Sequence, residues 1–72
     1  AGARIDAVDD FGDTPLHSGA IHGMPGMIGF LVRRGADPHA VNRNGETPMN
    51  LAVRYHQNRA VETLRKLLET RP

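Results

Sequence analysis

Four histidines, His17, His22, His39 and His56, are the side chains in this sequence best suited to proton transfer or metal binding. A zinc site commonly sets two imidazoles four residues apart on one helix face and adds a carboxylate or cysteine. His17 and His22 are five apart, which turns them away from each other on a helix. His39 falls in a turn-rich stretch, His56 at a helix end, and the chain has no cysteine. Ser18 and His22 stand four apart and could touch as nucleophile and base. No third group to orient them and no oxyanion cradle is visible beside them. Asp9, Asp10 and Asp13 suggest calcium only until the ligand order of an EF-hand, with its closing Glu, is required. No glycine-rich phosphate loop follows a strand. These residues read as structural or solvated, so the sequence predicts no catalysis, no metal and no cofactor.

The elements that carry them repeat. Shifted by thirty-three residues, Gly2-Ala3 meets Gly35-Ala36, Gly12 meets Gly45, Thr14-Pro15-Leu16 meets Thr47-Pro48-Met49, and Leu31 meets Leu64. Threonine before proline caps a helix with a hydroxyl and starts it with a residue lacking an N–H. The spacing predicts a first helix over Pro15–His22 and its counterpart over Pro48–His56. Gly23 ends the first, and Pro25 opens a second helix that carries Met27, Ile28, Leu31 and Val32 and stops at Arg33-Arg34-Gly35. In the second copy Asn58 is the expected N-cap of a helix from Arg59 to Glu69, with Val61, Leu64 and Leu68 on one stripe and a Glu62–Lys66 pair. Between the helix pairs, Ala36–Glu46 and Ala3–Asp13 read as an extended turn or short hairpin. Gly26 and Gly29 each lower the intrinsic stability of their helix by roughly 1 kcal/mol relative to alanine.

The stretch "GDTPLHSGAIHGMPGMIGFLVRRGADPHAVN" resembles an ankyrin repeat, with the T-P-L-H-x-A core, the thirty-three-residue period and the Gly-Ala-Asp closure at Gly35, Ala36 and Asp37. The pattern departs at Gly19, where alanine is usual, at Ser18, where leucine is common, and at Asn50, which replaces the histidine. The resemblance implies an all-α solenoid of helix-turn-helix pairs with short projecting β-turn or hairpin loops. It divides the chain into residues 1–12 as the loop of an upstream repeat, 13–44 as repeat one and 45–72 as repeat two, whose last helix resembles a C-terminal cap. It also implies that the His17 imidazole bridges neighbouring repeats. Asn50 then stands where no further repeat needs bridging.

The same resemblance implies binding of another protein through the loop tips and the first helix of each repeat. Carried onto this sequence, the variable positions are Asp10, Phe11 and Asp13 in one loop and Arg43, Asn44 and Glu46 in the next. Ile21 and His22 at the end of one first helix match Arg54 and Tyr55 at the end of the other. Phe11 lies in a polar loop with no core to enter, and Arg and Tyr are enriched at binding hot spots, so Phe11, Arg54 and Tyr55 are expected to dominate. A formal charge of +1 supplies no field toward nucleic acid, and Phe11, Phe30 and Tyr55 are too few for a base-stacking platform. No apolar run approaches the ~20 residues of a membrane span. Two copies fall short of the about three that a solenoid needs, so the chain is expected to be a fragment or appendix of a larger protein, and a self-associating role through an uncapped N-terminal face, burying Ile21 and Met27, is the alternative.

Overall fold

Thr14 and Thr47 stand in extended backbone geometry, with φ −83° and −88° and ψ 168° and 165°, and each turns the chain into a helix. The computed structural model describes residues 7–69 and contains α1 (Pro15–Ile21), α2 (Pro25–Arg33), α3 (Pro48–Arg54) and α4 (Asn58–Glu69). Both short helices carry the same reciprocal cap. The Thr14 hydroxyl accepts from the His17 N–H (3.3 Å) while the Thr14 N–H donates to His17 Nδ1 (3.0 Å). At α3 the Thr47 hydroxyl accepts from the Asn50 N–H (3.2 Å) and the Thr47 N–H donates to Asn50 Oδ1 (3.0 Å). The cap leaves fewer orphan N–H groups at the start of each helix.

Both short helices end sooner than the sequence pattern predicts. Gly23 takes φ +64°, so α1 stops at Ile21 with His22 as its cap. In the second copy His56 occupies the matching position at φ +58°, a left-handed conformation that histidine tolerates better than most residues but still resists. That ends α3 at Arg54, two residues before the expected His56. Asn58 is not the N-cap of α4. It is the first helical residue, because the Val61 N–H already donates to the Gln57 carbonyl (2.9 Å).

Helices α1 and α2 pack together, α3 and α4 likewise, and the pairs join with α1 against α3 and α2 against α4. The result is two layers of helices around one core of Leu16, Ala20, Ile28, Leu31, Ala36, Ala52, Ala60 and Leu64. In α4 the buried stripe runs through Ala60 and Leu64, with Val61 and Leu67 packed against it; Leu68 is half-buried. Gly19 is buried, and a Cβ there would stand 3.2 Å from Ile28 Cγ1, so the isoleucine fills the space that the usual alanine methyl would take. The Glu62–Lys66 pair is not made. Among the described residues the ion pair joins Arg54 to Glu46 (2.6 Å).

Among the described residues the projecting loops contain no strand; they are turns closed by their own backbone. In one, Asp9 N–H donates to the Asp13 carbonyl (3.1 Å) and Gly12 N–H to the Asp9 carbonyl (3.0 Å). In the next, Asn42 and Glu46 (3.0 Å) and Gly45 and Asn42 (3.0 Å) repeat the pattern. The opening side chain locks each loop: Asp9 Oδ1 accepts from Phe11 and Asp13 N–H, and Asn42 Oδ1 from Asn44 and Glu46 N–H, all at 2.9 Å. The readings of residues 1–6 as part of an upstream repeat and of 70–72 as the end of a cap lie outside the described residues.

Candidate functional site

Polar bonds between the repeats fix the loop-bearing face. His17 is fully buried, and its Nε2 donates to the Glu46 carbonyl at 2.8 Å. A carbonyl only accepts, so Nε2 carries the hydrogen and Nδ1 is free to accept from Thr14. One imidazole thus caps α1 and ties it to the following loop, as the resemblance implied. Asn42 is also buried, and its amide donates to Asp13 Oδ1 (2.9 Å) in the preceding loop and to Glu46 Oε1 (3.1 Å) in its own. The loop backbones meet directly where Arg43 N–H donates to the Phe11 carbonyl (3.1 Å). Glycine is required beside that bond. Gly12 sits at φ +77°, and a Cβ on it would lie 2.8 Å from the Arg43 nitrogen. At the far end of α1, Gln57 donates from its amide to the Ile21 carbonyl (2.7 Å).

These ties leave a cavity of about 270 Å³ between the loops and the inner helices. Phe11, Ile21, Leu51 and Tyr55 supply its apolar surface. Asp13, Asn42, Asn44, Glu46 and Arg54 supply its polar edge. Phe11 is 70% exposed and Tyr55 49%, so neither ring has been absorbed into the fold. The Phe11 carbonyl bonds to the adjacent loop while its ring stays mostly exposed. Arg54 donates from Nη1 to Glu46 Oε2, which aims an otherwise exposed guanidinium along the rim. An exposed pair of this kind adds less than about 1 kcal/mol to stability, so its main effect is on direction.

Of the ten residues singled out from the sequence, Phe11, Asp13, Ile21, Asn44, Glu46, Arg54 and Tyr55 line this one cavity. Asp10, His22 and Arg43 are exposed and lie outside its lining. Asp13 and Glu46 are half-buried and carry part of the internal bonding, Asp13 from Asn42 and Glu46 from Asn42 and Arg54. Sequence reasoning passed over two lining residues. Asn42 had a signal, since it matches Asp9 one period earlier and opens a turn ending in glycine. Leu51 had none beyond its framework position. His22 Nδ1 donates to the Ser18 carbonyl (2.9 Å), not to its hydroxyl, so the pair is a helix-end contact and not a nucleophile with its base. Among the described residues no three His, Cys, Asp or Glu side chains gather closely enough to hold a metal ion.

Paired helices stacked at a thirty-three-residue period, projecting turns and an open face lined by loop tips define a repeat-type recognition scaffold. A family model described as ankyrin repeats (3 copies) matches residues 1–71, and the chain belongs to the ankyrin-repeat family. It is an ankyrin-repeat protein–protein interaction module. The chain is 44% identical over 54 residues to human "Ankyrin repeat and IBR domain-containing protein 1", covering 75% of this chain and 5% of that protein. It is 35% identical over 69 residues to human "B-cell lymphoma 3 protein", covering 96% of this chain and 14% of that protein. It is 38% identical over 67 residues to human "Transient receptor potential cation channel subfamily A member 1", covering 93% of this chain and 6% of that protein. The chain thus spans a small part of the length of each relative.

Proposed function

We propose that the chain recognises a partner protein through the cavity between its loops and inner helices. Phe11 and Tyr55 are the apolar anchors, Ile21 forms the wall between them, and Arg54 and Asn44 are the polar rim. Asp10, Arg43 and His22 extend the contact outward, and Asp13 and Glu46 hold its floor in shape. One observation carries this reading: four separate segments converge on one open cavity with two large rings left exposed beside a directed arginine. Apolar rings next to an arginine are the composition of binding hot spots. The balanced charge and absence of a stacking platform favour protein over nucleic acid, and the recognition uses no membrane and no cofactor. On this reading residues 1–12 are the loop of an upstream repeat, 13–44 are repeat one and 45–72 are repeat two with a capping helix.

The test is selection of binders from a displayed peptide library against the 72-residue chain, followed by alanine substitution of Phe11, Arg54 and Tyr55 together. The expected result is an affinity loss of about thirtyfold or more with helical circular dichroism retained. Unchanged affinity in a folded triple variant refutes the reading. A second reading, self-association through the outer side of repeat one, is favoured by a cavity of about 390 Å³ whose lining includes Val8, Pro15, Ser18 and Met27. Light scattering after size exclusion distinguishes it, with a monodisperse dimer supporting it and a concentration-independent monomer refuting it.

A further inference from the structure

Two glycines in α2 serve no packing need. A Cβ at Gly26 or Gly29 would meet nothing within 4 Å, and Gly29 in addition weakens the helix interior. They lie three residues apart on one line along the helix and form the floor of a groove of about 440 Å³ between α2 and α4. This groove belongs to the other helix layer and shares no residue with the cavity between the loops. Its walls are Phe30, 54% exposed, and Leu67. Arg33 stands on one side and Lys66 on the other, and among the described residues no carboxylate lines it. Arg34, stacked 5.0 Å from the centre of the Phe30 ring, adds a further cation beside the wall.

The near-neutral total hides a separation of charge. Helix α2 and its cap carry Arg33 and Arg34 with no acid, and α4 carries Arg59, Arg65 and Lys66 against Glu62 and Glu69. The loops instead carry Asp9, Asp10, Asp13, Asp37 and Glu46 against Arg43. A cationic layer around a groove walled by Phe30 and Leu67 selects against basic ligands and toward acidic ones. Its shape selects further. The groove follows two helix lines, Gly26–Gly29–Arg33 and Thr63–Lys66, and its bare floor admits close approach of a backbone, the condition under which one helix ridge seats between two others.

We propose that the α2–α4 groove is a second docking surface, whose occupant is an amphipathic helix of a partner protein that sets a large apolar side chain over Gly26 and Gly29 between two carboxylates. The carboxylates meet Arg33 and Lys66, and the apolar side chain lies between Phe30 and Leu67.

The probe is a synthetic helical peptide bearing one phenylalanine flanked by glutamates, compared with a twin in which lysine replaces every glutamate and with phosphatidylserine vesicles. Amide chemical shifts of the full chain locate binding, and anisotropy measures it. The expected result is that the acidic peptide shifts Gly26, Gly29 and Thr63, that the lysine twin does not, and that Arg33→Glu with Lys66→Glu weakens binding about tenfold or more. Gly29→Gln keeps the fold, since glutamine is the better helix former and the space is open, and is expected to abolish those shifts. Equal binding of the lysine twin overturns the proposal. So do shifts confined to Phe11 and Tyr55, unchanged affinity in Gly29→Gln, or a response to vesicles but not to the acidic peptide.

Discussion

Replacing His17 by asparagine copies into the first repeat what Asn50 already is in the second. The asparagine Oδ1 can still accept from the Thr14 N–H, as Asn50 does from Thr47 at 3.0 Å, so the cap survives. The reach across to the Glu46 carbonyl, now 2.8 Å from Nε2, is lost. A hydrogen bond of this kind contributes about 1 kcal/mol. The Glu46 carbonyl also accepts from Asn42 N–H at 3.0 Å, so it is not left bare and the larger penalty for an orphaned group does not apply. His17 is fully buried, and the ring atoms that asparagine lacks leave a gap worth about 1 kcal/mol more. The expected loss is about 2 kcal/mol, a large share of what so small a domain has. The reverse exchange, Asn50→His, falls on an exposed residue and is expected to change stability by less than about 0.5 kcal/mol. Urea unfolding followed by circular dichroism measures both, as a shift in midpoint at constant slope. Equal shifts for the two variants would mean that the cross-repeat bond contributes nothing and that His17 matters only as a cap.

Three other substitutions test the joints of the structure. His56→Gly relieves a left-handed histidine and is expected to raise stability by about 1 kcal/mol, read as a higher thermal midpoint; a lower midpoint would show that the side chain matters more than its backbone. Gly12→Ala must both hold φ +77° and push against the Arg43 backbone, so it is expected to cost about 2 kcal/mol and to speed hydrogen exchange at the Arg43 amide, and unchanged exchange there would contradict it. Gln57→Ala removes the donor to the Ile21 carbonyl and is expected to cost about 1 kcal/mol in the same urea assay, whereas a neutral result would assign that carbonyl to water.

The helix pairs were legible because their signals are local: a threonine before proline, a glycine after the last apolar residue and a period of apolar positions are all read within one copy. Where the second copy substitutes His56 for Gly23, the left-handed turn persists without its usual residue, and a reading by residue type ran α3 two residues too far. The start of α4 moved by one residue for a similar reason, since Gln57 serves as a cap through its carbonyl, which every residue has. Most of the candidate site was legible as loop positions, because such positions recur at equal places in each copy. Their division of labour was not. Asp13 and Glu46 match each other in sequence, yet both are bonded to the same Asn42, and the Asp13 bond exists only once two loops lie side by side. Leu51 was hidden for a different reason: a framework leucine that is almost wholly buried still presents an edge to the cavity.

The bonds that join the copies also restrict how the chain can change in length. His17 reaches 29 residues ahead to Glu46, Asn42 reaches 29 back to Asp13, and Gln57 reaches 36 back to Ile21. Each contact spans nearly one period, so each is indifferent to how many whole units precede or follow it. An insertion of a few residues between the partners would break several of them together, whereas a complete unit of thirty-three slipped in would restore every donor to an equivalent acceptor. Growth of such a chain is therefore quantised: the permitted step is one full unit, set by the reach of three side chains.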